Sequence, residues 1–404
     1  MQVVGVVEGT SCPWDQLVLM ICEDEKLFAY DGEELHLVAS SPKQLDEEGI
    51  SYPGSKTYYE GEAFKDMTKV DWEEVRKGPT GMRLERVHHK LAANAEEQRQ
   101  EEFVERKDLF RTNAFLIIDK MMELNHYNEN QTTQLVDEIL HSIFFLGKIN
   151  VPTFSPEEIV NNKTMCDLLK HCYPEPFDLY SSRLPRRSPF SCVLDMIVFL
   201  ERPENENEIQ QKLQEIIREL GLDKGAPLVS STICVSQKNP NSEKYYGVSM
   251  STSGRDPGRI MVAASCLSGY WDSHVAGAVM TFNQKKSMKS YFDGTIKLPQ
   301  HVRCQAYSLH GGGAAMDPCQ SCGNLFGLGG NDEALFPYGN CAEVESVSNL
   351  FKNAPEVREK ARPTSKLCTP ENRSKAEKSV RVDLKVLLKR LHSPCNDQFY
   401  IPSA

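Results

Sequence analysis

The sequence predicts a multidomain α+β protein: a small β-rich region at residues 1–80, a helical region at 91–190, and a layered α/β region with a mixed sheet at 191–404. Three observations carry this. At 404 residues the chain exceeds one ordinary hydrophobic core, and at roughly 150 residues per domain it divides into two or three units. Hydrophobic residues make up 40% and charged residues 25%, the composition of a folded globular protein. The apolar period also changes along the chain, from short β-branched runs to helical spacing and then to strands interleaved with a helix.

In the first region VVGVV, LVLMIC, KLFAYD and LHLVAS read as strands separated by turn-formers such as Gly9 and Asp31-Gly32. From about Leu91 to Lys148 the spacing becomes helical, through NAEEQRQEEFVERKDLFRTN, AFLIIDKMMEL and TTQLVDEILHSIFFLG. Prolines punctuate residues 149–190, leaving one helix through SPEEIVNNKTMCDLLKHCY, where Ser155 and Glu158 fit a capping box. Cys166, His171 and Cys172 on that helix have no second close ligand pair and read as packing residues; His88 and His89 are adjacent and are left unassigned. After Pro189, SCVLDMIVFL reads as a buried strand and ENEIQQKLQEIIRELGL as an amphipathic helix ended by Gly221. PLVSSTICVSQ and KYYGVSMSTSG then form a hairpin across Asn239-Pro240-Asn241-Ser242. RIMVAASCL, HVAGAVMTF and VRCQAYSL are further strand-like text.

A formal charge of -11 argues against a generalised polyanion-binding surface. The N-terminus lacks the basic and apolar segments of a signal peptide, and no apolar stretch approaches the roughly 20 residues that span a bilayer. The expectation is an intracellular protein, cytoplasmic or nuclear, with no membrane contact. Thirteen cysteines, an odd number spread along the chain, then read as thiols and metal ligands rather than a disulfide framework.

Chemistry concentrates in two pieces, DPCQSCG at 317–323 and FPYGNCAE at 336–343. Two thiolates of a C-x-x-C turn reach one tetrahedral ion at about 2.3 Å each, and a third nearby thiolate leaves an open position for water. Zinc bound so brings the pKa of water toward about 7, and an adjacent carboxylate can shuttle protons without ligating. If 344–351 is helical, Cys341 sits in its first turn, where the positive helix end favours thiolate, and Val344, Val347, Leu350 and Phe351 bury the other face.

FPYGNCAEVESVSNLFKNA resembles the zinc helix of the cytidine deaminase superfamily, in which a proline-and-glycine approach leads into C-A-E or H-A-E. PCQSC resembles that superfamily's P-C-x-x-C motif, and residues 206–254 resemble its opening helix and hairpin. The resemblance covers about the last half of the chain. It implies that Cys319, Cys322 and Cys341 ligate zinc and that Glu343 is the general acid/base in hydrolytic deamination of a cytosine-type base. The partner would be a nucleobase, a nucleoside or single-stranded nucleic acid. The family order is reversed, however: PCQSC lies 19 residues before Cys341. After the C-A-E helix VRVDLKVLLKRL reads as one strand, and His392 and Cys395 follow it, so Cys341 with Cys395 and a group such as His392 is an alternative ligand set.

Two other readings compete. One is a non-catalytic interaction protein with a structural zinc or a degenerate deaminase-like domain; the other is a redox pair at Cys319 and Cys322. The glycines at 311–313 and 327–330 fit no phosphate-loop motif, and His310 reads either as a substrate contact or as a polar loop residue. Residues 352–390 hold 12 Lys and Arg against 5 acids and, with three prolines, read as a solvated connector rather than a phosphate-contacting strip.

Overall fold

The structure, a computed structural model, describes residues 2–8, 16–22, 24–31, 34–52, 54, 56–58, 109–126, 129–222, 225–283, 286–395 and 397–402. The chain divides into two compact units, residues 1–99 and 100–404. The sequence expectations for residues 59–108, His88, His89 and most of the charged NAEEQ stretch among them, lie outside the described residues.

The first unit is an antiparallel meander of β1 (Gln2–Glu8), β2 (Gln16–Ile21), β3 (Leu27–Tyr30), β4 (Leu35–Ala39) and β5 (Lys56–Tyr58), with one helix, α1 (Pro42–Glu48). The four β-branched and aromatic runs of the sequence are four of these strands. Leu17, Leu19, Leu27, Ala29 and Val38 form its core. Ser41 caps α1 through its side chain, which accepts from the Gln44 N–H, and Pro42 fits the first turn because its missing N–H would have had no helical partner.

The second unit begins with helices. Residues 109–126 form α2, followed by α3 (Glu129–Ile149), α4 (Pro156–Val160), α5 (Lys163–Cys172), α6 (Pro174–Leu179), α7 (Pro189–Glu201) and α8 (Glu206–Glu219). The capping box at Ser155 and Glu158 is present, but the single helix expected there is two, broken where Asn161 takes the left-handed conformation. Cys166 is buried by packing, and Cys172 is exposed.

SCVLDMIVFL is helix α7, not a strand: Pro189 opens it, and residues 189–194, 196 and 197 are buried. A short, mostly apolar run carries little period, so sequence alone does not separate a buried helix from a buried strand. The same ambiguity accounts for RIMVAASCL and HVAGAVMTF, which are α9 (Arg255–Leu267) and α10 (Ser273–Met280).

The hairpin is found as expected, with β6 (Thr232–Gln237) and β7 (Lys244–Val248) joined across residues 238–243. VRCQAYSL is β8 (Arg303–Ser308), which pairs with β6 and with the short β9 (Ala315–Met316). The order is β7-β6-β8-β9, antiparallel throughout where a mixed sheet was expected. Then come α11 (Gln320–Phe326), α12 (Ala342–Asn353), α13 (Pro355–Lys360) and α14 (Pro370–Arg390). The last two replace the solvated connector and the strand expected from VRVDLKVLLKRL. Thr369 caps α14 and Pro370 opens it, while Leu384, Leu387 and Leu388 are buried at helical spacing.

Alternation along β6 builds three layers. Ile233 and Val235 join the core that holds Ile209, Leu213 and Ile216 of α8. Cys234 and Ser236 face the opposite way, toward Ala342 and Ser346 of α12. The contact between α12 and β7 is close enough to require glycine: a Cβ on Gly247 would stand 2.3 Å from the Ser346 nitrogen and 2.6 Å from the Ala342 oxygen. Gly247→Ala is therefore expected to cost about 1–3 kcal/mol, since neither backbone can yield cheaply. Urea unfolding should show this loss beside an unchanged midpoint for Gly329→Ala, whose added Cβ meets nothing within 4 Å.

Candidate metal centre

The helix α12 is central rather than superficial. Val344, Val347, Leu350 and Phe351 are at most 1% exposed, as their spacing implied. Ala342 and the polar residues Glu343, Glu345, Ser346 and Ser348 are buried as well. Glu345, Ser346 and Ser348 have partners in the surrounding layers. Ser346 shares a 2.9 Å hydrogen bond with Ser236, the Asp272 N–H donates to Ser348, and the Glu345 carboxylate accepts from the Val248 N–H at 2.8 Å. These bonds fix where the N-terminus of α12 points.

Cys341 is the N-cap of α12 and makes no capping bond through its side chain, which leaves its sulfur to turn elsewhere. It meets Cys319 and Cys322. Cys319 is the N-cap of α11, and Cys322 lies in that helix's first turn. The Sγ atoms of Cys319 and Cys341 are 3.5 Å apart, those of Cys319 and Cys322 3.7 Å, and all three lie within 4.8 Å of one another. A tetrahedral ion at about 2.3 Å from each thiolate requires an edge of about 3.8 Å. The donor set and its spacing therefore fit a metal ion, and among the described residues this is the group of three or more ligating side chains that lies close enough to hold one.

The reversed order of the motifs is reconciled by the loop between them. After α11 ends at Gly327, in the left-handed conformation, the chain folds back along its own start. The Gln320 N–H donates to Ala334 O at 3.0 Å, the Ser321 hydroxyl to Phe336 O at 2.6 Å, and the Asn324 amide to the Tyr338 hydroxyl at 2.9 Å. Tyr338 stacks on Phe282 with ring centres 3.7 Å apart. The Met250 N–H then holds Asn340 O at 2.8 Å, which places Cys341 at the end of β7.

Glu343 shares this environment. It is 5% exposed and stands two residues from Cys341 in the first turn of α12. Burial chiefly, with the charge of Cys319 added, pushes its carboxyl above the usual carboxylate range. Within the cluster, hydrogen bonding with Cys322 and Cys341 draws the Cys319 thiol well below its ordinary value, while Cys322 and Cys341 are held up by their bonds to Cys319.

The alternative ligand set is not brought together. The Cys395 sulfur is directed at Ser181 O, at 3.2 Å, and at Arg183 O. His392 follows α14 with φ 51°, and neither residue belongs to the thiol cluster. His310 lies in the turn after β8, where its N–H donates to the Ser308 hydroxyl and its carbonyl accepts from it.

Sequence reading missed the polar network beside the cluster. Arg187, 7% exposed at its side chain, pairs with Glu138 at 2.7 Å and with Asp195, and it donates to the Tyr270 hydroxyl at 3.2 Å. Tyr270 and Ser191 donate in turn to Glu345, the tyrosine at 2.6 Å. A small cavity bordered by Arg187, Met250, Tyr270, Trp271, Cys341 and Glu345 adjoins the cluster. No local signal marked this network, because its members come from four separate segments.

No family model matches the chain, and no solved structure matches it. Over 72 residues it is 29% identical to "Uncharacterized protein FPV250" of Fowlpox virus (strain NVSL), a match that takes in 18% of this chain and 51% of that protein. The chain thus matches about half the length of this curated relative, whose name states no activity. Among the described residues no helix is long and apolar enough to cross a membrane.

Proposed function

We propose that Cys319, Cys322 and Cys341 hold zinc and that the chain is a hydrolytic deaminase acting on a cytosine-type base, presented in a nucleoside or a single-stranded nucleic acid. The observation that carries this reading is the convergence of the three thiols, with the buried Glu343 two residues along the chain from Cys341, although the motifs that supply them stand in reversed order. Zinc held by three thiolates with an open fourth position supplies Lewis acidity and makes water a better nucleophile near neutral pH.

The protein's own residues would do the rest. Glu343, fixed by α12, takes a proton at a carboxylate oxygen from the attacking water and returns it to the departing amine. The products are the uracil-type base and ammonia.

The burial of Cys319 and Cys322 favours a second reading, in which the zinc only ties α11 to α12. Cytidine, deoxycytidine and a cytosine-containing single-stranded oligonucleotide distinguish the two. The catalytic reading expects the zinc-loaded chain to form uracil from at least one of them. Zinc bound at one equivalent with no uracil from any of the three would leave the structural reading.

A further inference from the structure

On the sheet face that α12 covers, two more thiols meet. The Sγ atoms of Cys234 on β6 and Cys304 on β8 are 3.6 Å apart. Cys234 pairs with Ala306 and Cys304 with Ser236, so the two cysteines are diagonal neighbours on one face of an antiparallel ladder. With Ala306 and Ala342 they make a small cluster of their own, and Ala342 is the residue between Cys341 and Glu343. Cys234 has no exposed surface, whereas Cys304 is only partly buried. Besides Cys304, the groups acting on the Cys234 sulfur are the Ser346 hydroxyl and the charge of Glu343.

A second metal ion does not account for the pair: among the described residues no third ligating atom comes within reach of these two sulfurs. Two adjacent thiols, one partly buried and one fully enclosed, have the arrangement of an attacked thiol and its resolving partner.

We propose that Cys234 and Cys304 are a peroxide-sensitive pair that closes reversibly to a disulfide beneath the start of α12. The Cys304 sulfur attacks one oxygen of hydrogen peroxide, the O–O bond breaks, and the other oxygen leaves as water with the thiol proton. Cys304 is then a sulfenic acid. The Cys234 sulfur displaces its hydroxyl, which leaves as a second water with the Cys234 proton, and an S–S bond remains. Two thiols have lost two electrons in all, and one peroxide has become two waters.

Diagonal positions stand farther apart than directly opposed ones, so closure pulls the ladder from its resting register and the bond is strained and readily reduced. Drawing the sulfurs from 3.6 Å to about 2.05 Å also removes packing from beneath Ala342. Oxidation thereby acts on the backbone that presents Cys341 and Glu343. This consequence rests on the zinc reading above; the disulfide itself does not.

The test treats the full-length chain, zinc-loaded and with its zinc measured beforehand, with hydrogen peroxide, then alkylates, digests and weighs the peptides. The expected result is one linked pair carrying Cys234 and Cys304, two hydrogens lighter than its separate peptides. It should vanish on treatment with dithiothreitol and be absent from both Cys304→Ser and Cys304→Ala. Recovery of Cys234 and Cys304 as free thiols at a peroxide dose that oxidises the exposed Cys172, or Cys304 linked to another cysteine, overturns the proposal. Zinc missing before peroxide is added counts against the metal reading alone.

Discussion

Glu343→Gln is expected to keep its zinc and to lower uracil formation by ~10²–10⁴-fold, the range that a positioned general acid/base contributes. The substitution keeps the size of the side chain, and the hydrogen bonds that place α12 come from Glu345, Ser346 and Ser348 rather than from Glu343. The fold and the three thiols should therefore survive it. Turnover is read from the conversion of the substrate that the wild type uses, and zinc from the same preparation. Equal turnover by wild type and variant would remove Glu343 from the reaction, whereas zinc lost along with activity would make it a support of the cluster instead.

Arg187→Ala is expected to destabilise the second unit by about 2–4 kcal/mol, because it leaves the buried Glu138 carboxylate with only the more exposed Arg186 to offset its charge. Glu138 accepts from both the Nε and Nη2 of Arg187, at 3.0 and 2.7 Å, and is 5% exposed. Its other cation, Arg186, is more exposed and sits at 3.2 Å. The variant also takes a donor from Tyr270, so the Tyr270–Glu345 bond beside α12 loses support. Urea unfolding followed on α3 and α7 reads the cost. Removing the exposed Lys43 of the Lys43–Glu47 pair should change little. A loss from Arg187→Ala no larger than that of Lys43→Ala would contradict the structural importance given to the network.

The pH dependence has a definite sign. Burial opposes ionisation of Glu138, but Arg187 and Arg186 together hold its carboxyl below the ordinary carboxylate value. A depressed folded-state pKa contributes stability that is present above the unfolded-state value and lost as pH falls through the folded one. The difference between wild type and Arg187→Ala should accordingly narrow on acidification.

Local signals were legible where a pattern has a mechanism. The strands of the first unit are announced by β-branched runs between turn residues, the hairpin by Asn239 to Ser242, and α12 by apolar spacing after a thiol at its start. Helices α7, α9 and α10 were read as strands because apolar residues crowd most of their positions: burial on most sides weakens the signal that distinguishes the two. For α14, its alternating Val and Leu resembled a strand, yet Thr369 and Pro370 formed a readable helix start.

The thiols of the candidate site were nameable from motif chemistry, but their convergence was not, since it depends on the fold-back of residues 327–341 along α11. The Cys234–Cys304 pair is a matter of strand register, and the Arg187 network joins α3, α7 and α12 with the residues after α9. Neither leaves a mark within a single window of sequence.

The most direct measurement is the metal content of the full-length chain, purified under reducing, chelator-free conditions, wild type against Cys341→Ser. One zinc per wild-type chain and a large loss in the variant is the expected result, because Cys341 supplies one of three sulfurs spaced for a tetrahedral ion. A wild-type chain that carries no metal, and takes up none when zinc is supplied, would contradict it.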